Sequence, residues 1–374
     1  MAVPDEETPP RTWRQQARRS PATFAISAVC VVLFAVTLAL VAARAEDPLS
    51  ALAHTLWRID DDAVLRDLGA LDLTRVWIDG QWWRTLTTGF LHGSWIHLVL
   101  NLIALWSVGT WLERALGAAR SGLIFLLAAL GGALASIAAC EAPMVVGASA
   151  GVLGMAGALL VTRLWGPESV RQEIADVSAG ALGAMIALCV GLGVVVPVIA
   201  QSGHLGGLAL GTGASFALLG SMRIPTRAIA TAATIALLAI GTYFADHPGH
   251  RAKYPLFMAY RWLDDGDGDK ALFYFEEALQ RSADDPSLAN AVAYHLSLAG
   301  QELDRAEALV QQALQAEPEN PDYLDTLGWI ECRRGNFDEG MVWLLRARAA
   351  AEGAIAEIDE HIRTCREAPL VPGG

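Results

Sequence analysis

Three polar clusters lie inside apolar stretches of this 374-residue chain. One is Ser149, in Gly147-Ala148-Ser149-Ala150-Gly151. One is His204, with Gly207 and Gly211 behind it. The third is His92, His97 and Asn101. His97 and Asn101 are four apart and share one helix face. Ionisable and amide side chains in such surroundings are costly and are functional suspects by default. The residue types fit acyl transfer. Serine is a weak nucleophile without a base, an imidazole can take and return its proton, and a tetrahedral intermediate needs donors aimed at its oxyanion. Nothing acidic lies near Ser149 or His204 in sequence, so a Ser149–His204 dyad is the economical arrangement. A packing account stands beside it, because small residues and interhelical hydrogen bonds also join membrane helices. On either account Gly147/Gly151 and Gly207/Gly211, each four apart, offer small faces for close helix approach. Gly147-x-Ser149-x-Gly151 also satisfies the nucleophile elbow of soluble hydrolases. That motif needs a strand before it and a sheet around it, whereas the surroundings here read as a membrane helix.

The elements that position these groups are apolar. Hydrophobic residues make up 53% of the chain, which suggests a polytopic membrane protein with a soluble part. Residues 1–20 carry Arg11, Arg14, Arg18 and Arg19 and read as a flexible leader. The apolar run 21–43 reads as a first span, being longer than the ~7–15 residues of a signal core. Cleavage between Ala45 and Glu46, after the small-x-small Ala43-Arg44-Ala45, is the lesser reading. Residues 44–90 form a long loop whose Trp57, Trp77, Trp82 and Trp83 suit a membrane interface. Six further spans are expected at 91–111, 122–140, 143–165, 179–200, 204–220 and 228–244, each near the ~20 residues that cross the hydrocarbon. A seven-span domain over 21–245 puts the termini on opposite sides. Arg114, Arg120, Arg163, Arg171, Arg223 and Arg227 fall on the side of the leader, and the loops near Glu141 and Gln201 carry no Lys or Arg. The five arginines of 44–90 are discounted because that loop is long and partly amphipathic. The leader is then cytoplasmic and the tail extracytoplasmic.

The tail is acidic: 12 Lys/Arg against 23 Asp/Glu from Arg251 onward, within a net charge of −13 for the chain. No basic face suggests nucleic acid. Ala271, Ala306 and Gly340 recur at about 34 residues, as do Ala278, Ala313 and Ala347, with Pro286 and Pro318 closing two units. This resembles tetratricopeptide repeats, an α-solenoid over 251–366. Two units are clear, at 287–320 and 321–353. A degenerate one lies at 252–286, a capping helix at 354–366 covers the last apolar face, and 367–374 reads as disordered. Asp265, Asp267, Asp269 and Glu276 fit positions of a calcium loop, but Lys270 stands where glycine belongs, so an Asp-rich turn and N-cap is the better account. Cys30, Cys140 and Cys189 read as small packing residues. A Cys332–Cys365 disulfide is open if the tail faces an oxidising compartment. No cysteine pair has zinc-ligand spacing.

Taken in chain order, Trp83-Arg84, the His92–His97–Asn101 spacing, Glu113 with Leu116-Gly117, Gly147-Ala148-Ser149, and His204 with Gly207 and Gly211 resemble the rhomboid intramembrane serine proteases. The resemblance covers about residues 20–245. It implies an all-α membrane bundle with a six-helix core and one extra span. It also implies Ser149 as nucleophile, His204 as base, and His97, Asn101 and the Ser149 backbone N–H as oxyanion donors. Trp83 and Arg84 would be structural and His92 would support the loop. Glu113 would tie helix ends together, most simply through an arginine. The substrates would be transmembrane segments of other proteins in the bilayer, with no metal or cofactor, and the membrane would be the bacterial inner (plasma) membrane. Partners or substrates would be recruited by the repeats. Two positions depart from the family. Ala150 stands where glycine usually follows the serine, and Leu153 stands where an aromatic often stacks on the base. Both bear on base positioning. Rivals are an inactive rhomboid-like binder of membrane clients and a repeat-bearing membrane adaptor.

Overall fold

The computed structural model describes residues 19–367 apart from 46, 56, 60, 61, 141, 196–199, 220–222, 252 and 352–355. Nearly all of the expected leader, the tail beyond Glu367 and Glu46 of the small-x-small site therefore lie outside the described residues. The chain packs as two units, residues 1–248 and 249–374.

The first unit holds helices α1 (Pro21–Arg44), α2 (Pro48–His54), α3 (Asp62–Leu68), α4 (Leu73–Trp77), α5 (Arg84–Thr87), α6 (Trp95–Leu116), α7 (Ala118–Ala139), α8 (Ser149–Trp165), α9 (Glu168–Glu173), α10 (Ala179–Val195), α11 (Gln201–Leu218) and α12 (Ile224–Asp246). By length and composition α1, α6, α7 and α12 can each cross a membrane, and α8 and α10 are apolar but shorter. α8 is shorter than the expected 143–165 span because residues 143–148 are not helical. Leu71–Asp72 (β1) and Met144–Val145 (β2) pair antiparallel, Leu71 opposite Val145 and Asp72 opposite Met144. Among the described residues the expected all-α class thus carries one small ladder. It joins the long loop to the segment that leads into Ser149, and Leu73 N–H to Pro143 O (3.0 Å) extends it.

Local chemistry sets the helix ends. Pro21 at the start of α1 lacks a donor where none is needed. The next two N–H groups, of Ala22 (3.0 Å) and Thr23, donate to the Glu113 carboxylate at the far end of α6. Among the described residues the Glu113 carboxylate meets the backbone of α1 and no arginine. The physical reason is that a helix N-terminus presents unpaired N–H groups and positive potential to an anion. The Ser94 hydroxyl caps α6 by accepting from His97 N–H (3.1 Å).

α7, α8 and α11 pack mutually. A Cβ on Gly211 would lie 2.4 Å from Gly154 Cα, and one on Gly207 would lie 2.3 Å from Ala150 O. The α8 face opposite Gly207 and Gly211 is therefore Ala150 and Gly154, not the expected Gly147 and Gly151. Gly147 precedes the helix, and Gly151 is turned toward the ring of Phe125 on α7, 2.5 Å from its would-be Cβ.

The second unit continues with α13 (Tyr254–Asp264), α14 (Gly268–Arg281), α15 (Pro286–Ala299), α16 (Leu303–Ala316), α17 (Pro321–Arg334), α18 (Phe337–Ala350) and α19 (Ala356–Glu367). Successive helices pack on one another. The recurring small residues Ala271, Ala306, Ala278, Ala313 and Ala347 are buried at the helix contacts. Asp267, Asp285 and Asn320 cap helix starts. Gly300 and Gly335 end helices in the left-handed region. Pro286 opens α15 and does not close a unit, as proline suits a first helical turn. The calcium reading gives way to helix capping and ion pairs. Asp267 accepts from Lys270 N–H, Asp265 pairs with Arg261 and Glu276 with Arg305. Cys332 and Cys365 form a disulfide with Cα atoms 5.6 Å apart.

Candidate active site

The chain enters α8 from β2 through Gly147, whose φ of +134° favours glycine. Gly147 N–H donates to Thr88 O (3.1 Å), which holds this segment against the end of the long loop. Thr88 Oγ also donates to Val145 O (2.5 Å). A Cβ on Gly147 would lie 2.8 Å from Nε2 and Cε1 of His97, so glycine also makes room for that imidazole. Ser149 is the first residue of α8. Its backbone N–H has no intrahelical acceptor, and the positive end of the helix lies behind it.

His204 stands in the first turn of α11, and its Nε2 is 2.9 Å from Ser149 Oγ. With the proton on Nδ1, the serine hydroxyl donates to Nε2. His204 Nδ1 is buried and meets no acceptor among the described residues. Residues 55 apart in sequence are thus in hydrogen-bond contact because Gly207 brings α11 onto the backbone of α8 three residues further along.

The remaining residues arrange around this contact. Asn101 is buried and its amide donates to His97 O (2.9 Å), one turn back on α6. The His92 ring is buried edge-on against His97, with centroids 5.1 Å apart. Arg84 is 2% exposed and donates to Arg66 O (2.6 Å), Ala70 O (2.9 Å) and Gln81 Oε1 (2.7 Å), beneath the Trp83 ring. The Trp83-Arg84 pair fastens the long loop and lies away from the serine's hydrogen-bond contacts. Desolvation holds the Arg84 pKa below its ordinary value. The Ala150 methyl faces Gly132 of α7, where an added Cβ would come within 2.4 Å of it. Leu153 is buried.

Sequence reasoning missed Thr88, the β1–β2 ladder and Gly132. Gly131-Gly132 within an apolar run was the one signal for the last of these. A two-residue ladder has no sequence periodicity to find it by.

The geometry can be set beside known proteins. Residues 79–221 match the Rhomboid domain. The chain is 32% identical over 245 residues to Rhomboid protease GluP of Bacillus subtilis (strain 168), covering 64% of this chain and 47% of that protein. It is 32% identical over 155 residues to RHOMBOID-like protein 4 of Arabidopsis thaliana, covering 41% of this chain and 39% of that one. These comparisons support the rhomboid family. The chain spans about half, or less, of the length of the curated relatives it matches. Ser149, His204, His97 and Asn101 all fall inside the matched rhomboid domain, as do Trp83, Arg84, His92 and Glu113. The second unit lies outside it.

Proposed function

We propose that this chain is an intramembrane serine endopeptidase that cleaves transmembrane segments of other proteins. The observation that carries this is the 2.9 Å contact between Ser149 Oγ and His204 Nε2, with the serine at a helix N-terminus. His204 takes the hydroxyl proton as Ser149 attacks a scissile carbonyl, then returns it to the leaving amine. Water repeats the sequence on the acyl-enzyme with the same base. The oxyanion forms against the Ser149 N–H, with His97 and Asn101 as side-chain donors. For that, Asn101 turns its second N–H outward while the first stays on His97 O. His92 supports the His97 ring, and no metal or cofactor takes part.

Regular helices have their backbone groups paired, so the scissile stretch is one that unwinds locally. Seven spans cross a bacterial inner membrane, with the N-terminus cytoplasmic and the second unit outside. The second unit is a set of tetratricopeptide repeats, of which α19 is the cap, and it recruits substrates or partners. The disulfide of Cys332 and Cys365 accords with an oxidising compartment. The second reading is a binder of membrane clients that does not cut. The amide of Asn101, engaged with His97 O, is the observation in its favour.

The test is cleavage of a type I transmembrane reporter by purified protein in liposomes. Wild type should cut, and Ser149→Ala and His204→Ala should fall to background. Cutting that persists in Ser149→Ala would overturn the proposed nucleophile, and no cutting by any protein would favour the client-binding reading.

A further inference from the structure

The last helix of the second unit covers something more polar than a cap requires. α19 presents Ile358, His361 and Cys365 on one face, at i, i+3 and i+7. α17 presents Asp325, Trp329 and Cys332 at i, i+4 and i+7. The two stripes meet. His361 Nδ1 lies 2.8 Å from Asp325 Oδ2, both side chains being 7% exposed. The His361 ring stacks on Trp329, with centroids 4.4 Å apart. Cys365 is bonded to Cys332. Glu357 also reaches Tyr294 of α15, whose hydroxyl donates to it.

A helix that only closes a solenoid needs an apolar underside. Here the covered face holds polar groups that α19 leaves incompletely matched. Asp325 Oδ1 has no donor and Trp329 Nε1–H no acceptor among the described residues. Buried polar atoms are normally satisfied, so each unmatched one calls for an explanation. A face with a spare carboxylate oxygen, a spare indole N–H and an apolar notch at Leu324 and Ala347 is shaped for a different helix. The donor it lacks is one that Lys or Arg supplies, and this acidic unit favours such a residue.

We propose that this face of α17 is a recognition surface for an amphipathic helix of a partner protein that carries Lys or Arg where α19 carries His361, and that α19 is its tethered occupant, locked by the Cys332–Cys365 disulfide. Release is a thiol–disulfide exchange with a protein dithiol of thioredoxin type. Its thiolate attacks one sulfur, the Cys332–Cys365 bond breaks, and a mixed disulfide forms. The second thiol of the reductant then displaces that sulfur. The two cysteines gain two electrons and two protons, and the reductant leaves as a disulfide. Cys365 lies in the last turn of α19, so opening that turn alone uncovers its sulfur. The inference rests on the repeats being a recruiting domain and on nothing at Ser149, and its test reads binding, not cleavage.

Two measurements on the full chain in detergent micelles decide it. The first is amide hydrogen exchange before and after dithiothreitol. Reduction should speed exchange in α19 at least about tenfold and leave α17 and α18 unchanged. No change in α19, or opening of all three helices together, would overturn the lock. The second is fluorescence anisotropy with a fluorescein-labelled peptide of residues 356–367 carrying His361→Lys and Cys365→Ser. It should bind the full chain bearing Ile358→Glu and Cys365→Ser, where α19 is loosened, and not the oxidised wild type. Adding Asp325→Asn to that chain should weaken binding about tenfold or more, since a charge-assisted contact is lost. Equal binding with and without Asp325→Asn, or binding to oxidised wild type, would overturn the recognition surface.

Discussion

At the scale of single residues, the proposed mechanism divides the site into groups that react and groups that hold them. Asn101 belongs to the first set on the proposed mechanism, although its amide contacts His97 O in the resting structure. Removing one oxyanion donor typically lowers kcat about 10²- to 10³-fold. Asn101→Ala should do so with KM little changed, as read by initial rates on the liposome reporter. An equal fall in thermal stability, with kcat intact, would assign Asn101 to helix packing. Ala150 departs from the family pattern and its methyl is accommodated, because the residue facing it on α7 is Gly132. Leu153 is buried and brings no ring to His204, so that imidazole is positioned by its contact with Ser149 and by the approach of α11.

At the scale of elements, the close approach of α8 and α11 brings the serine to the histidine. Gly207→Ala would place a methyl 2.3 Å from the carbonyl oxygen of Ala150, a backbone atom that cannot rotate away. Overpacking of this kind costs about 1–3 kcal/mol. The variant should show a lowered unfolding midpoint in detergent and lose most of its cleavage, while Gly183→Ala, on the helical backbone of α10 with open space around its would-be Cβ, serves as control for general damage.

In the second unit His295 stacks on Phe275, with centroids 5.0 Å apart. Burial lowers its pKa below that of an ordinary histidine. A lowered folded-state value means the folded unit resists protonation, so stability is full above the unfolded pKa of ~6.5 and is lost as the pH falls toward the folded value. Amide exchange in α14 and α15, corrected for intrinsic rates, should therefore quicken between pH 7 and pH 5. His295→Phe should remove that dependence, and an unchanged dependence would assign it to other groups.

At the scale of the whole molecule, the proposed topology makes a direct forecast. A phosphatase that folds only where disulfides form should be active when fused after Gly374 and inactive when fused before Ser20. The reverse pattern would invert the arginine argument. It would also leave the Cys332–Cys365 disulfide in a reducing compartment.

Much of this was legible in the chain itself. Apolar runs of membrane length, the arginines between them and the recurring alanines of the tail are properties of composition and period, which do not depend on tertiary contacts. The residue types Ser149, His204, His97 and Asn101 stood out because polar groups at such depth are costly. Other features were decided only by folding. Whether Gly151 or Gly154 faces α11 depends on where α8 begins, and that is set by the pairing of Met144 and Val145 with a loop more than 70 residues earlier. Glu113 accepts from a pair of backbone N–H groups, which carry no residue identity for a sequence to display. The pairing of Cys332 with Cys365 and the polar seam beside it follow from α19 lying along α17. Sequence records side-chain chemistry and its period, whereas close approach, helix starts and backbone partners exist only once distant segments have met.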